Sequence, residues 1–361
     1  MAIKKTAIIT WHHYPNFGSA LQAYALHHYI NSNGGDATLI NYRRGGYPNL
    51  YRFRKFIGLF DKFIPKVISD KLHYRFIRFE AEEFRQTRLI TDEVSLNSLN
   101  SEFSTFICGS DQIWAPNVLH EPYLLSFVND NKERYSYAAS IGLPKLPKEK
   151  LEIYSRNLSM FNAISVREEQ GAALLKSVFN LDATVVLDPT LLLDKKEWDK
   201  LSGNQFQNES YIFCYFLGEN ELHRKLVEDC AKKMGVKVIC ASRFSMDIRP
   251  SFTTDTDVGP KEFLGYIKCA KLVITDSFHG LCFSINFNKN FYVVERFTSD
   301  DPINQNSRIY NILSKLNLTN RLISVIPEKI QNINYEEVNK VLELLRSSSK
   351  RFLRNVCGVI S

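Results

Sequence analysis

The sequence lacks the patterns of several large classes of protein. It has no run of about 18 uncharged apolar residues, so no transmembrane helix is predicted. The nucleotide-binding GxGxxG and P-loop motifs and the zinc-binding HExxH motif are absent from the 361 residues, as are internal repeats and low-complexity segments. These absences argue against the generic nucleotide-binding and zinc-dependent classes. Neither a metal nor a cofactor is predicted.

The seven cysteines are odd in number, scattered along the chain and without a CxxC pair. Several lie in apolar stretches such as YIFCYF and VKVICAS, which is typical of reduced thiols in the core of a cytosolic protein. The short apolar run before Trp11 predicts a first β-strand and not a signal peptide. The predicted location is therefore the cytoplasm.

Positive charge is concentrated in one segment. Residues 43–78 contain ten Lys or Arg and two acids, a net charge of +8, whereas the whole chain carries +7. The apolar residues there that recur at helical spacing are Phe53, Phe56, Ile57, Phe60 and Ile64. We predict a basic amphipathic helical insert at about 43–88, with 51–88 helical apart from an interruption at Pro65. It either contacts an anionic membrane surface or packs on the domain with its charges in water. Nucleic acid is not a predicted partner, because no recognised binding motif accompanies the patch.

Short apolar strands alternate with amphipathic helices along the whole chain, which predicts parallel, doubly wound sheets. The expected fold is α/β, with two Rossmann-like domains facing a cleft. The N-terminal domain is expected to span 1–190 and the C-terminal domain 191–325. A last helix within 326–361 is expected to cross back onto the first domain.

Four predicted strand ends carry polar residues, and ligands of open α/β sheets bind at the carboxyl ends of strands. The first is ITWHHYPNFGSALQAYAL, residues 9–26, which contains His13 and Asn16. Gly18 and a Ser19 N-cap would open a helix there, and its exposed amides would suit a phosphate or carboxylate. An ordinary capped turn is the alternative.

The second and third strand ends carry an acid and an arginine. In FICGSDQIW, residues 106–114, Asp111 is either a general base or a helix cap, and Trp114 follows in polar surroundings. In ISVREEQGAALL, residues 164–175, Arg167 precedes a helix N-terminus, where a cation is misplaced unless an anion lies nearby. That anion is either a protein carboxylate or a ligand phosphate.

The fourth strand end is KLVITDSFHGLCFSI, residues 271–285, in which an apolar strand stops at Thr-Asp-Ser. Either Asp276 or Ser277 caps the next helix, or the strand end belongs to a site. Of the eight histidines, His279 is the one most clearly placed at a strand end, with Gly280 beside it.

Taken together, six segments resemble the polysaccharide pyruvyl transferase family. In chain order they are NFGSALQAYAL (16–26), CGSDQIW (108–114), SYAASIG (136–142), ISVREE (164–169), DPTLLL (188–193) and VITDSFHGLCFSI (273–285). The resemblance implies a GT-B-type arrangement and transfer of the pyruvyl unit of phosphoenolpyruvate to a sugar, usually as a cyclic ketal across two hydroxyls. Its implied partners are phosphoenolpyruvate and a sugar acceptor, in this family often a lipid-linked oligosaccharide. Such an acceptor would suit contact of the basic insert with the inner face of the plasma membrane.

The resemblance also implies roles for individual residues. His279 would protonate the methylene carbon or the leaving phosphate, and Asp111 would accept the hydroxyl proton, although the two roles could be reversed. The implied donor-binding residues are Arg167, Gly18, Ser19, Ser277 and Gly280. The implied acceptor-binding residues are Asn16, His13 and Trp114, so the N-terminal domain is the implied acceptor side. Some relatives carry an arginine where this chain has Ser277, so either another group supplies that positive charge or donor binding is weaker.

Two other functions stay open. A GT-B glycosyltransferase that uses a nucleotide sugar should carry an acidic ribose contact in its C-terminal domain, and Glu295 in YVVERF is only a loose candidate. A non-catalytic sugar-binding protein of a polysaccharide assembly system is the other alternative. The presence of Arg, Asp and His together at strand ends favours an enzyme.

Overall fold

The computed structural model describes residues 4–43, 71–203, 209–241, 244–298, 301 and 304–359. The chain divides into two compact units. Unit 1 contains Met1–Leu192 and Leu344–Ser361, and unit 2 contains Leu193–Glu343. Most of the predicted basic amphipathic helix, residues 44–70, lies outside the described residues.

Unit 1 is built on a parallel sheet. Its strands are β1 (Lys5–Ile9), β2 (Asp36–Leu39), β3 (Thr105–Cys108), β4 (Glu133–Ser136), β5 (Ile164–Val166) and β6 (Ala183–Val185). Its helices are α1 (Phe17–Ser32), α2 (Lys71–Glu83), α3 (Glu93–Leu96), α4 (Leu151–Leu158) and α5 (Glu169–Phe179). The first four strands lie in the order β2-β1-β3-β4, and β5 pairs with β6. Isolated parallel bridges from Tyr135 to Ala163 and from Ala139 to Val166 connect the β3–β4 region to the β5 pair.

Unit 2 contains a sheet of five strands, all paired in parallel. They are β7 (Tyr211–Tyr215), β8 (Lys237–Ala241), β9 (Phe252–Asp255), β10 (Leu272–Thr275) and β11 (Phe291–Val293). The helices that begin in unit 2 are α6 (Lys195–Leu201), α7 (Glu221–Met234), α8 (Pro260–Cys269), α9 (Phe278–Asn286), α10 (Ser307–Lys315) and α11 (Tyr335–Cys357). The strand order is β11-β10-β7-β8-β9.

In each unit the chain adds strands to one side of its first strand and then continues on the other side. The place where this change occurs is where a ligand can bind. In unit 2 the chain runs outward from β7 through β8 to β9 and then returns to the other side of β7 as β10. In unit 1 the same reversal lies between β1 and β3. At such a switch point the loops after the two strands separate, and the crevice outside their carboxyl ends is the usual ligand site of an open α/β sheet.

The central strands are apolar on both faces, which is the pattern of strands covered on both sides. Every residue of β3, β7 and β10 is buried. In unit 1, Ile9, Phe106 and Trp114 belong to one hydrophobic cluster, and in unit 2 Ile212 and Ile274 belong to another. These cores fix the strand ends and therefore the polar residues that follow them.

The predicted helix over 51–88 is wrong at its carboxyl end. Helix α2 stops at Glu83, and the chain then runs beside the edge of β2. Gln86 bridges Leu39, and Ile90 bridges Tyr42, both in parallel. Backbone hydrogen bonds to this sheet edge and burial of Ile90 replace the helical hydrogen bonds that periodicity alone had suggested.

Helix α11 contributes to both units. Its residues up to Glu343 belong to unit 2, and those from Leu344 belong to unit 1. Arg346 Nε donates to the carbonyl of Leu191 at 2.7 Å, and the amide of Leu187 donates to Ser349 Oγ at 2.9 Å. The part of α11 after residue 343 therefore forms hydrogen bonds to the chain just before Leu192, where the first portion of unit 1 ends.

No helix in the described part of the chain is both long and apolar enough to cross a membrane. All seven cysteines lie among the described residues, and none of them forms a disulfide. Six are buried and Cys269 is partly exposed.

Candidate active site

The switch point of unit 1 is tied together by one glutamine from α1. Thr10, directly after β1, donates through Oγ1 to the carbonyl of Ser110 at 3.0 Å. The side chain of Gln22 donates through Nε2 to Thr10 Oγ1 at 2.9 Å and accepts the amide of Ser110 through Oε1 at 3.0 Å. These contacts fix the loop after β3, which carries Asp111. Gln22 belongs to the NFGSALQAYAL segment, but nothing in the sequence predicts that its side chain binds the loops after β1 and β3.

Asp111 lies at this switch point in an unusual backbone conformation. Its φ of 70° is in the left-handed region, where non-glycine residues are uncommon and often belong to functional sites. Ser19 donates through Oγ to Asp111 Oδ2 at 2.8 Å, and Arg167 Nη1 lies 3.9 Å from Asp111 Oδ1. Asp111 is 7 % exposed and caps no helix among the described elements. The structure thus brings together Ser19, Asp111 and Arg167, three of the predicted site residues.

Arg167 is surrounded by protein carboxylates. Its Nε donates to Glu168 Oε1 at 2.8 Å, and its Nη1 donates to Asp188 Oδ2 at 2.8 Å. Burial lowers the pKa of Arg167, but the charges of Glu168, Asp188 and Asp111 outweigh it and raise the pKa overall. Of the two anions that the sequence left open, the structure shows the protein carboxylate. These carboxylates offset the charge of Arg167, and its predicted role in donor binding stays a prediction.

Asp188 is the residue of this cluster that sequence reasoning missed. It is 1 % exposed and accepts hydrogen bonds from Arg167, Ser110 and Thr190, the last through both backbone and hydroxyl. The sequence does carry a sign of this role. In DPTLLL an acid stands between a short extended segment and a proline, which is another polar strand end.

The start of α1 differs from the prediction. Asn16, and not Ser19, is the N-cap, and its Oδ1 accepts the amide of Ser19 at 3.2 Å. Because Asn16 already binds one amide of this helix end and the Ser19 hydroxyl is directed at Asp111, a donor-binding role for Gly18 and Ser19 stays a prediction. Gly18 is buried at the same helix end.

Trp114 and His13 occupy different environments. Trp114 is fully buried, and its indole N–H donates to the carbonyl of Tyr123 at 2.9 Å, so no ring face is exposed to a sugar. The prediction that Trp114 contacts an acceptor is therefore wrong, because packing into the core outweighs its polar sequence neighbours. His13 is partly exposed and its ring lies 3.8 Å from that of His12. Its acceptor role, like that of Asn16, stays a prediction.

The switch point of unit 2 is closed by a carboxylate. Asp276, directly after β10, accepts the amide of Leu217 through Oδ1 at 2.7 Å and that of Gly218 through Oδ2 at 2.8 Å. Burial raises the pKa of Asp276 to about 6, although the two amides and the charge of Arg296 favour the ionised form. Asp276 therefore caps no helix and instead joins the loops after β7 and β10.

The loop after β7 is held from its other side by a buried ion pair. Arg224 donates through Nε and Nη2 to Asp247 Oδ1 at 2.9 and 2.8 Å. Its Nη1 donates to the carbonyl of Gly218 at 2.6 Å. Both side chains are at most 1 % exposed, so Gly218 is fixed through its carbonyl as well as its amide. Neither partner carried a motif that would have identified it from the sequence.

Ser277 and Gly280 shape the start of α9. Ser277 is the N-cap, and its Oγ accepts the amide of Gly280 at 3.3 Å. A Cβ at Gly280 would lie 2.8 Å from Thr275 Oγ1, so glycine permits the close approach of the helix to β10. The helix-cap interpretation of Ser277 is thus correct, and donor binding by Ser277 and Gly280 stays a prediction beside these structural roles.

His279 lies in the first turn of α9 and is 7 % exposed. Its ring makes an edge contact with Phe278 at 5.2 Å between centroids. His279 belongs to unit 2, whereas Asp111 and Arg167 belong to unit 1. The predicted meeting of these residues at one cleft therefore stays a prediction. No group of three or more potential metal ligands occurs within the described ranges.

Comparison with solved structures defines the class of protein. MnaA of S. aureus, solved with UDP, matches with a TM-score of 0.51 and 10 % identity, covering 98 % of this chain and 96 % of that one. The UDP-GlcNAc 2-epimerase of Methanocaldococcus jannaschii matches with a TM-score of 0.50 and 11 % identity, covering 98 % and 99 %. At such identities the likeness shows the fold alone. The chain is an α/β protein of the GT-B fold class, with a parallel sheet in each unit.

The family follows from the sequence match. The model of the polysaccharide pyruvyl transferase family matches residues 16–296, which is most of the chain. A search of curated proteins found no match to this chain. The chain belongs to the polysaccharide pyruvyl transferase family, whose description is that of a transferase acting on polysaccharide.

Proposed function

We propose that the protein transfers the pyruvyl group of phosphoenolpyruvate to a sugar of a polysaccharide precursor and releases phosphate. The observation that carries the proposal is the reach of the family match. It begins at Asn16, the N-cap of α1, and ends at Arg296, just after β11. It therefore spans the polar residues at both switch points.

The charge of the unit 1 switch point supports a neutral acceptor there. One guanidinium, that of Arg167, is surrounded by the side chains of Asp111, Glu168 and Asp188. The formal charge of this cluster is negative, and like charges repel a trianion such as phosphoenolpyruvate. A sugar hydroxyl is uncharged and can donate its proton to a carboxylate. We assign the acceptor to unit 1 and Asp111 as its general base.

The donor is assigned to unit 2 and to the start of α9. His279 lies in the first turn of that helix, and an imidazole can both donate and accept a proton near neutral pH. The acceptor oxygen bonds to C2 of phosphoenolpyruvate while His279 delivers a proton to the methylene carbon, which becomes a methyl group. Phosphate then leaves with the electrons of its C–O bond. A second hydroxyl bonds to C2, loses its proton and closes the ketal.

The test is direct incubation of the purified protein with phosphoenolpyruvate and a lipid-linked or model galactoside. Phosphate release and the mass gain of a ketal on the acceptor are followed together, with His279→Gln as the inactive control. Both signals should appear with the wild type only. Turnover of a nucleotide sugar, with no product from phosphoenolpyruvate, would instead favour the glycosyltransferase alternative.

We also propose that the basic segment 43–78 brings the enzyme to a lipid-linked acceptor at an anionic membrane. The support is its net charge of +8 and its apolar residues at helical spacing. Changing Arg52, Arg54 and Lys55 together to Glu should lower co-sedimentation with anionic liposomes. Unchanged sedimentation would favour a segment that packs on the protein.

A further inference from the structure

An arginine that the sequence patterns did not single out lies at the carboxyl edge of the unit 2 sheet. Arg296 comes shortly after β11, which is the neighbour of β10. Its side chain is partly buried. Across the described residues its guanidinium makes no ion pair or hydrogen bond, and its plane lies over the ring of Phe297, with Cζ 4.4 Å from the centroid.

Gly218 allows this arginine to lie beside Asp276 at the switch point. A Cβ at Gly218 would be 2.9 Å from Arg296 Cγ and 3.1 Å from Asp276 Oδ2. The stem of the arginine and the carboxylate therefore both pack against the bare backbone of Gly218. Any larger residue there would separate them.

Asp276 does not occupy the donors of Arg296. Both of its oxygens accept backbone amides, from Leu217 and Gly218, and no oxygen of Asp276 lies within ion-pair distance of the guanidinium in the described structure. The carboxylate thus offsets the charge of Arg296 from a distance and leaves its N–H groups to another acceptor.

The surroundings of Arg296 favour an anionic ligand. Burial lowers the pKa of Arg296, and the charge of Asp276 only partly opposes this effect. A guanidinium that loses water without gaining an anion is destabilised, whereas a phosphate or carboxylate can accept two of its N–H groups in one planar contact. Arg224 shows the contrast, since Asp247 binds it at 2.8 Å.

We propose that Arg296 is the residue of unit 2 that binds the phosphate or carboxylate of the donor substrate at the switch point between β7 and β10. The identity of the donor rests on the function proposed above. The binding chemistry itself would also serve the diphosphate of a nucleotide, so the experiment includes both.

The test is calorimetric titration of the full chain with phosphoenolpyruvate, UDP and inorganic phosphate as separate probes. Loss of a charge-assisted contact should raise the Kd for phosphoenolpyruvate by about 10- to 100-fold in Arg296→Gln. Arg296→Lys should fall between Arg296→Gln and the wild type, because it keeps the charge but not the planar contact. The matched control is Arg249→Gln, which removes ion pairs to Glu221 and Glu228 and should leave Kd unchanged.

The outcomes separate the two proposals. Wild-type binding of phosphoenolpyruvate that Arg296→Gln leaves unchanged overturns the role of Arg296 and keeps the proposed function. Binding of UDP alone, weakened by Arg296→Gln, keeps Arg296 as a phosphate-binding residue and overturns the proposed donor. No wild-type binding of any probe overturns both. The urea midpoint of each variant is measured alongside, and if Arg296→Gln is unfolded the Lys variant decides.

Discussion

Arg167 of unit 1 and Arg296 of unit 2 both follow a parallel strand, but their surroundings differ. Arg167 is 5 % exposed and has carboxylate oxygens at 2.8, 2.8 and 3.9 Å. Arg296 is partly exposed, and its neighbour Asp276 is bound to backbone amides. Position at a sheet edge therefore does not identify an anion-binding arginine. The carboxylates around it decide whether it organises the protein or meets a ligand.

The largest effect expected is on catalysis. It tests the proposal that the acceptor binds at the switch point of unit 1 and the donor at that of unit 2. Asp111→Asn in unit 1 and His279→Gln in unit 2 should each lower kcat by about 10²- to 10⁴-fold, the usual contribution of a general acid or base. The Kd for phosphoenolpyruvate should stay within a few-fold of wild type in Asp111→Asn. Steady-state kinetics and calorimetry measure the two quantities, and an Asp111→Asn variant that has lost donor binding would place the donor in unit 1 instead.

The next effect concerns stability of the carboxylate cluster around Arg167. Asp188→Ala removes the buried carboxylate that accepts from Arg167 Nη1 and from the hydroxyls of Ser110 and Thr190, so unfolding free energy should fall by about 3–5 kcal/mol. Asp182→Ala is the matched control, because the Asp182 side chain is 89 % exposed and pairs with the exposed Lys176. It should change stability by less than about 1 kcal/mol. Urea denaturation measures the stability of both variants. Equal midpoints would mean that the ion pair between Arg167 and Asp188 does not stabilise the protein.

The third effect is the pH dependence that Asp276 contributes. Its folded-state pKa of about 6 is above the ordinary value of 3.8, so the folded state binds a proton that the unfolded state lacks between these pH values. The stabilisation is thus fully present below about pH 4 and is lost as pH rises through about 6. It amounts to at most about 3 kcal/mol.

The variant Asp276→Asn isolates this titration from those of other carboxylates. The unfolding free energy of the wild type, minus that of the variant, should decrease as pH rises from about 4 to about 6 and then stay level. Urea midpoints at several pH values measure the difference. A difference that increases with pH would show that the amides of Leu217 and Gly218 lower the pKa of this carboxyl group.

The smallest effect compares two glycines that lie near the start of a helix after a strand, one in each unit. Gly280→Ala should destabilise the protein by about 1–2 kcal/mol, because the new Cβ would be 2.8 Å from Thr275 Oγ1. In Gly171→Ala the nearest atom would be 3.6 Å away, an ordinary contact. That variant should be neutral or up to about 1 kcal/mol more stable, since alanine favours helix. Thermal unfolding of the two variants measures the contrast, and equal shifts would argue against close packing at Gly280.

The sequence predicted the fold class and the positions of the polar strand ends, because alternating apolar strands and helices determine which residues reach a sheet edge. Asp111, Ser277 and His279 lie after such strands, as predicted. The contacts at each edge were not predictable. Arg167 could meet a ligand or a protein acid, and only the fold places Asp188, which is 21 residues away in sequence, beside it.

Other misses have similar physical causes. Strand β9 has one buried residue in four, so it lacks the apolar pattern that identified its neighbours. Trp114 lies among polar residues in sequence and yet is fully buried. Arg296 could not be identified as a candidate site residue from the sequence. Its position beside Asp276 depends on Gly218, a residue far from it along the chain.

The two-part composition of unit 1 constrains the order of folding during synthesis. Unit 1 includes residues from Leu344 onward, and these are made only after all of unit 2. Until Arg346 and Ser349 have left the ribosome, Leu191 and Leu187 are without the partners that they have in the structure. Domains generally fold as units during synthesis, the N-terminal one first, but here the unit that begins first is completed last. A ribosome-bound chain that ends before residue 344 should therefore have an unfinished unit 1.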